Sequence, residues 1–457
     1  MVIADCKDLN SRILKHDSNA PRYTSYPTAP HFSAAVGDDK YGFWLEALPK
    51  QNSLSLYFHI PYCNALCWYC GCYTKITQRY APIEDYAHLV AREVQMVSAL
   101  LKEKNHQVSH IHFGGGSPTI LLPRDFEFLM KKIRESFHVL SDAEIAIEVD
   151  PRSVNEEKIS TYARLSVNRI SIGVQDFNEK VQRAINRQQS FDLVYDCVKL
   201  FRKHGISDIN LDLIYGLPLQ DLEMIRKNID YAMLLNPSRI AFFAYAHVQW
   251  MKKHMRLIRD EDLPNNALRL EMYQLAKEKL QQEGFVAIGL DHFARPDDSM
   301  AQAFAQKKLK RNFQGYSADK AEAIIGFGAS AIGHLPFGYV QNIADMEEYK
   351  KSILSEMLAV RKGAAVIQED VLRKKVIDEI MCYLRVDLNQ ICDAFNLQRS
   401  HFAKEVLLLD ELRCDGLIAI ENNVIKVLES APQIARLVAR CFDEYFVCSE
   451  KKHSKIA

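Results

Sequence analysis

Four of the chain's eleven cysteines fall in the stretch "YFHIPYCNALCWYCGC", Tyr57 to Cys72. Cys63, Cys67, Cys70 and Cys72 are spaced Cys-x3-Cys-x2-Cys-x-Cys, with apolar and aromatic residues between the thiols. Buried structural thiols account for the scattered Cys197, Cys382, Cys392, Cys414 and Cys441, since a free cysteine packs as a small hydrophobe. They do not account for this crowding. A structural zinc site draws its ligands from two well-separated pairs, and no second Cys-x2-Cys follows. A redox dithiol needs one Cys-x2-Cys and leaves Cys63 and Cys72 without a role. An iron–sulfur cluster fits better, because soft thiolates hold it from a short loop. Three thiolates at x3 and x2 spacing each reach one corner of a cubane, and the fourth iron stays open to a ligand.

Composition bounds the rest. At 457 residues the chain exceeds one ordinary core, so a large domain plus a smaller one is expected. Lys plus Arg and Asp plus Glu number 58 each, so no net field draws in nucleic acid or an anionic membrane. No run approaches the roughly 18 apolar residues of a membrane span. The start, "MVIADCKDLNSRILKHD", is too charged for a secretory signal, so a cytoplasmic enzyme with reduced thiols is expected.

The elements that must position the thiols alternate. Apolar, β-branched segments end in polar or glycine-rich turns at Ser55–Pro61, Ser109–Thr119, Glu144–Pro151, Arg169–Phe177, Asp208–Pro218 and Arg239–His247. Helix-period stretches lie between them at Asp85–Lys102, Pro123–Phe137, Phe191–His204 and Leu222–Leu235. Such alternation predicts a parallel sheet with right-handed crossovers, and ligands gather at the carboxyl ends of such strands. The polar residues fall there: Gly114–Gly116, Glu148, Gln175, Asp212 and His247. Glycines directly after a strand let backbone approach a ligand closely. From about residue 364 the character changes. Helical stretches at Val371–Leu384 and Arg399–Leu409 precede a hairpin turning at Asn422–Asn423. That pattern resembles a winged helix, but Asp410, Glu411, Asp415 and Glu421 and the zero net charge oppose DNA binding, so a cover over the open side of the larger domain is expected.

Cys63, Cys67 and Cys70 match the signature of the radical S-adenosylmethionine enzymes, and the six βα units resemble their partial (β/α)6 barrel. Over nearly its whole length the chain resembles the oxygen-independent coproporphyrinogen III oxidases. The resemblance rests on "PRYTSYPTAP", "YFHIPYC", "CWYCGC", "GGGSPT", "IEVDPR", "GVQDFN", "NRQQ", "DLIYGLP", "FAYAHV", "DHFARPDD" and "RNFQGY". The related haem chaperones share the cluster and barrel. They characteristically carry phenylalanine where this chain has Cys72, and lack the Pro21–Thr28 arm.

The resemblance implies an α/β fold: an N-terminal arm over 1–47, a radical-SAM barrel over 48–363, and a smaller, mainly helical domain over 364–457. It implies a [4Fe–4S] cluster on Cys63, Cys67 and Cys70, with Cys72 nearby as a catalytic non-ligand. Two S-adenosylmethionine molecules are implied. Tyr57, Gly115, Glu148 and Ile332 match contacts to the first. Tyr69, Gly116, Ser117, Gln175, Arg187, Asp212 and Ala246 match contacts to the second. Ser117 and Tyr69 stand where threonine and phenylalanine are common. The implied reaction turns two propionates of coproporphyrinogen III into vinyl groups through a 5′-deoxyadenosyl radical, giving protoporphyrinogen IX. Arg22 is a candidate partner for a substrate propionate, because a guanidinium fork suits a carboxylate. A low-potential electron donor and a monomer are expected, with no nucleic-acid or membrane partner.

Overall fold

A computed structural model describes residues 2–49, 53–101, 106–447 and 455–456. Its centre is a run of six strands: β1 (Ser53–Ile60), β2 (Gln107–Gly115), β3 (His138–Val149), β4 (Arg169–Gln175), β5 (Asp208–Tyr215) and β6 (Arg239–Ala244). Each pairs in parallel with the next. Alternation along β1 shows why. Leu54, Leu56, Phe58 and Ile60 are fully buried beneath the helices, while Tyr57 is only half-buried and faces inward. Phe58 stacks between Phe113 of β2 and Phe327, each at 4.9 Å between ring centres, which fixes three strands in register.

Six more strands extend this run without closing it. Beyond β6 lie β7 (Val286–Ile288) and β8 (His292–Ala294), with β8 antiparallel to β6. On the other side β9 (Ala323–Phe327) pairs in parallel with β1. It is followed by the antiparallel β10 (Ile332–Leu335), β11 (Gly338–Asn342) and β12 (Val360–Ala365). The order β12-β11-β10-β9-β1-β2-β3-β4-β5-β6-β8-β7 leaves both ends unpaired with each other. This is the partial (β/α)6 barrel, with helices Ala81–Leu100, Pro123–Ser136, Glu156–Arg164, Phe191–Lys203 and Leu222–Leu234 on its outside. Ser190 and Asp221 cap the last two by accepting from Leu193 N at 3.2 Å and Met224 N at 2.7 Å. The helix expected from Asp85 begins earlier, at Ala81, and Lys102 lies outside the described residues.

A second core gathers Leu372, Val376, Ile377, Ile380, Ile391, Phe402, Leu437 and Phe442, together with Leu9, Ile13, Tyr23 and Tyr26 from the chain's start. Helix Gln368–Tyr383 leads into a three-stranded sheet. Its hairpin turns at Asn422 and Asn423, with φ of 50° and 61°, where the left-handed region favours asparagine. The helix expected over Arg399–Leu409 is broken. The chain turns at Gln398–His401, and only Ala403–Leu407 is helical before Asp410–Cys414 begins. The Arg399–Asp393 ion pair at 2.9 Å holds the turn, and Phe402 must bury against Phe442. Those tertiary demands override the helical period.

One buried carboxyl ties β9–β11 to the barrel wall. Glu93 accepts from Gly328 N and Tyr349 Oη at 2.7 Å each and from Asn342 Nδ2 at 2.7 Å. Glu93→Ala orphans three buried donors, so we expect a loss on the order of 3 kcal/mol in unfolding free energy. Denaturant titration checks it. Among the described residues, no helix is long and apolar enough to cross a membrane.

Candidate active site

The cysteine loop leaves β1 at Ile60 and is tied down through its backbone. Trp68 N donates to Ile185 O at 2.9 Å, and Asn186 Nδ2 to Leu66 O at 2.8 Å. Cys70 O meets His254 Nε2 at 2.8 Å, and Cys72 O accepts from Lys252 Nζ at 2.9 Å. With the carbonyls taken, the thiols are presented to a cavity of about 260 Å³. Cys63, Cys67, Cys70 and Cys72 line it with Gly115, Gly116, Ser117, Glu148, Gln175, Arg187 and Asp212. Among the described residues no three His, Cys, Asp or Glu side chains converge on one metal ion. A cubane does not ask for that, because each thiolate takes a different iron. The donor set fits a cluster: soft sulfurs on one anchored loop, with cations at hand. Arg187 Nη1 lies 3.6 Å and Arg152 Nη2 3.9 Å from Cys67 Sγ. Burial pushes the Cys63 thiol up to about 12, so its ionisation calls for a metal. Cys70 and Cys72 are hydrogen-bonded thiol to thiol. That bond lowers Cys70 to about 7 and raises Cys72 well above the ordinary thiol range.

The glycine turn forms the facing wall. Gly115 has φ of 112°, and a Cβ there would stand 2.6 Å from the His59 ring. A Cβ on Gly116 would stand 2.9 Å from Tyr62 O. Only glycine fits at these two positions, where the His59 ring and the Tyr62 carbonyl already stand. Gly115 N donates to Glu148 Oε2 at 3.1 Å, and His112 Nε2 lies 3.3 Å from Glu148 Oε1. Burial alone would raise the Glu148 carboxyl. The His112 hydrogen bond and charge and the Gly115 amide hold it below its ordinary value, so it is anionic. Asp212 accepts from Ser171 Oγ at 3.0 Å and Asn210 Nδ2 at 2.7 Å. Burial, then the charge of Glu148, pushes it up to about 6. Gln175 ends β4 with φ of 70°, a strained conformation of the kind that persists at functional sites.

A second cavity, about 530 Å³, adjoins the first. Tyr57, His59, Ile332 and His334 line it, and Cys72 and Glu148 belong to both walls. Tyr57 Oη lies 3.0 Å from His59 Nδ1, and His59 Nε2 3.1 Å from Tyr73 O. Burial lowers His59, so the ring is neutral. The structure therefore brings together every cysteine of the loop with Glu148, the glycines, Gln175, Arg187, Asp212, Tyr69, Tyr57 and Ile332. Ala246 stands two residues beyond β6 and outside the walls of these cavities. Arg22 reaches the end of β6, donating from Nη2 to Ala244 O at 3.3 Å.

Several wall residues went unassigned in the sequence, His59 and His334 among them, and four more stand in motifs already quoted. Phe313 and Gln314, on the hairpin loop after Lys310–Asn312, line the second cavity. Asp150 and Arg152 line the first. Asp150 is held down to about 2: burial opposes ionisation, but hydrogen bonds from Arg152 and the charge of Arg187 outweigh it. The motifs "RNFQGY" and "IEVDPR" contain all four, but only the tertiary fold sets Phe313 and Gln314 against β10.

Residues 57–232 match the family model described as the radical SAM superfamily. The oxygen-independent coproporphyrinogen III oxidase of Bradyrhizobium diazoefficiens is 43% identical over 439 residues, 96% of this chain and 97% of that protein. The Salmonella typhimurium protein of the same name is 37% identical, over 95% and 94% of the two chains. The solved structure of coproporphyrinogen III oxidase from Escherichia coli, described as a radical SAM enzyme, superposes with a TM-score of 0.89. It is 36% identical and covers 95% of this chain and 98% of its own.

Proposed function

The chain belongs to the oxygen-independent coproporphyrinogen III oxidase family, and from that premise we propose how its own residues serve the family's reaction. It is a radical SAM enzyme that carries out the anaerobic oxidative decarboxylation of coproporphyrinogen III in haem biosynthesis, with a [4Fe–4S] cluster and S-adenosylmethionine. The product of the two decarboxylations is protoporphyrinogen IX. The observation that carries the residue assignment is the meeting of two walls: the cysteine loop faces the glycine–Glu148 cradle across one cavity, and Cys72 and Glu148 open onto the next.

In this reading Cys63, Cys67 and Cys70 hold the cluster. Tyr57, Gly115, Glu148 and Ile332 hold the S-adenosylmethionine on it. Tyr69, Gly116, Ser117, Gln175, Arg187, Asp212 and Ala246 hold a second molecule. When bound, cluster and cofactor supply the radical that takes a hydrogen atom from a propionate side chain. The chain does the rest by position and charge. Anionic Glu148 complements a cationic sulfonium, while neutral His59 keeps Tyr57 oriented through its hydrogen bond. Cys72 keeps its proton, donates it toward Cys70, and stands where the two cavities join. The adjoining cavity receives the tetrapyrrole away from bulk water, with Arg22 against a propionate. The arm over 1–47 and the domain over 364–457 cover the barrel of 48–363. Electrons come from a low-potential donor, and the enzyme works as a cytoplasmic monomer without nucleic-acid or membrane partners.

Anaerobic incubation with coproporphyrinogen III, S-adenosylmethionine and a reductant tests the activity: protoporphyrinogen IX and released CO2 are expected, and their absence from cluster-loaded enzyme sinks it. A variant tests the assignment of Glu148. Glu148→Ala removes the carboxylate opposite the sulfonium, so we expect roughly tenfold weaker S-adenosylmethionine binding, about 1.4 kcal/mol, with near-normal iron content. Unchanged affinity by calorimetric titration would take Glu148 out of the cofactor site.

A further inference from the structure

The thiols of the cysteine loop face the cavity assigned to the cofactor, so an electron carried by another protein has to arrive through the back of the loop. Residues 248–263, which follow β6, lie against that back. The segment folds on itself: Met251 N and Lys252 N both donate to Val248 O at 2.9 Å, Met255 N donates to Lys252 O at 3.0 Å, and a short helical turn runs over Lys253–Leu257. Its inner side is fastened to the loop. Lys252 Nζ donates to Cys72 O and His254 Nε2 meets Cys70 O. Buried Met255 and Ile258 belong to a small core against which Trp68 and Tyr69 of the loop pack.

The outer side is open. Of the chain's three tryptophans, Trp44 is buried and Trp68 packs against that core, whereas Trp250 is 54% exposed. Met251 and Leu257, on the same fold of chain, are 64% and 56% exposed. Apolar residues scattered singly are ordinary on a surface, but three on so short a segment make a patch. The exposed side chains of Lys253 and Arg256 have no hydrogen bond or ion pair among the described residues, and Lys252 meets a carbonyl, which leaves its charge standing. From 250 to 258 no carboxylate answers them. The acids begin at Asp260, and Arg259 takes Asp262 at 2.7 Å and Glu261 at 3.5 Å. Tryptophan, methionine and arginine are enriched where proteins meet.

We propose that this face, Trp250, Met251 and Leu257 with Lys252, Lys253 and Arg256, docks an acidic one-electron carrier protein that reduces the cluster. The proposal rests on the reading of the cysteine loop as the holder of a [4Fe–4S] cluster and names the kind of donor that reading requires. The electron count is one for one: the reduced carrier loses one electron and the cluster gains it, and each S-adenosylmethionine cleavage consumes one such delivery. Tunnelling falls off steeply with distance. Here the patch connects to Cys70 through His254 and a single hydrogen bond of 2.8 Å. Electron-transfer encounters bury less than about 1,200 Å², so a compact patch suffices. Cations beside an apolar centre steer an acidic partner in, and a small interface lets it leave after transfer.

The test gives the anaerobically reconstituted holoenzyme two reductants: dithionite, which needs no docking, and reduced flavodoxin, an acidic flavoprotein, as the carrier probe. Stopped-flow absorbance follows reduction of the cluster, and calorimetry gives the Kd for flavodoxin. Wild type should be reduced by both. The double variant Lys253→Glu, Arg256→Glu should be reduced by flavodoxin about tenfold more slowly at low salt and should lose most of the salt dependence. Trp250→Ala should weaken flavodoxin binding about tenfold. Dithionite reduction, iron content and S-adenosylmethionine affinity should stay at wild-type values in both. Flavodoxin rates and affinity equal to wild type in these iron-replete variants overturn the proposal, as does wild type that flavodoxin does not reduce. A wild-type dimer that Trp250→Ala dissolves, with flavodoxin reduction unchanged, would give the face to a second copy of the chain and overturn it too. Wild type that holds no cluster reducible by dithionite fails the functional reading itself, whereas a reducible wild type with indifferent variants fails only the docking face.

Discussion

Replacing Cys63, Cys67 or Cys70 with serine should reduce iron content and the cluster's visible absorbance to background and abolish product formation. The effect is the largest expected for any single change in the chain. A hydroxyl is a hard donor that does not ionise near neutral pH, so it is a poor substitute for a soft thiolate. The three positions are not equal before the metal arrives. Cys70 is lowered by its bond from Cys72, whereas Cys63 is pushed up by burial. Assembly should therefore be most sensitive to pH at Cys63, where metal binding must displace the most firmly held proton. Iron analysis after anaerobic reconstitution decides the point. Full iron loading in any one serine variant would strike that residue from the ligand set.

The proposed triplet was open to sequence reading because its spacing is local: three thiols, one loop, no tertiary information needed. The six barrel strands were open for a related reason. A parallel strand covered on both faces reads as a β-branched run, and its polar residue facing the cavity sits where the run stops, as Glu148, Gln175 and Asp212 do. Residues that reach the site by closure of the fold were not. Phe313 and Gln314 are unremarkable in a polar hairpin until β10 is set beside it. The expected helix over Arg399–Leu409 failed in the same way. Its apolar spacing was helical, but the burial of Phe402 against Phe442 is a long-range term that a local period does not contain.

Cys72 is where spacing and structure part company, and Cys72→Ser should separate them. By spacing the thiol is a fourth ligand, and a cluster closed by four cysteines has no open iron for a cofactor. By position it stands at the join of the two cavities and donates toward Cys70, an outer contact to a ligand sulfur. Serine preserves a donor of nearly the same reach while removing the sulfur. We therefore expect the variant to keep a [4Fe–4S] cluster and its spectroscopic response to S-adenosylmethionine, yet to form protoporphyrinogen IX at least tenfold more slowly, about 1.4 kcal/mol of barrier. A retained hydrogen bond with lost turnover means that the sulfur itself, exposed at the join of the two cavities, takes part in the reaction. Low-temperature electron paramagnetic resonance with and without cofactor, alongside product analysis, reads both halves. Loss of the cluster would make Cys72 a ligand and remove the open iron on which the radical chemistry depends. A loaded cluster with wild-type turnover would instead reduce the thiol to its hydrogen bond with Cys70, a role that serine fills equally well.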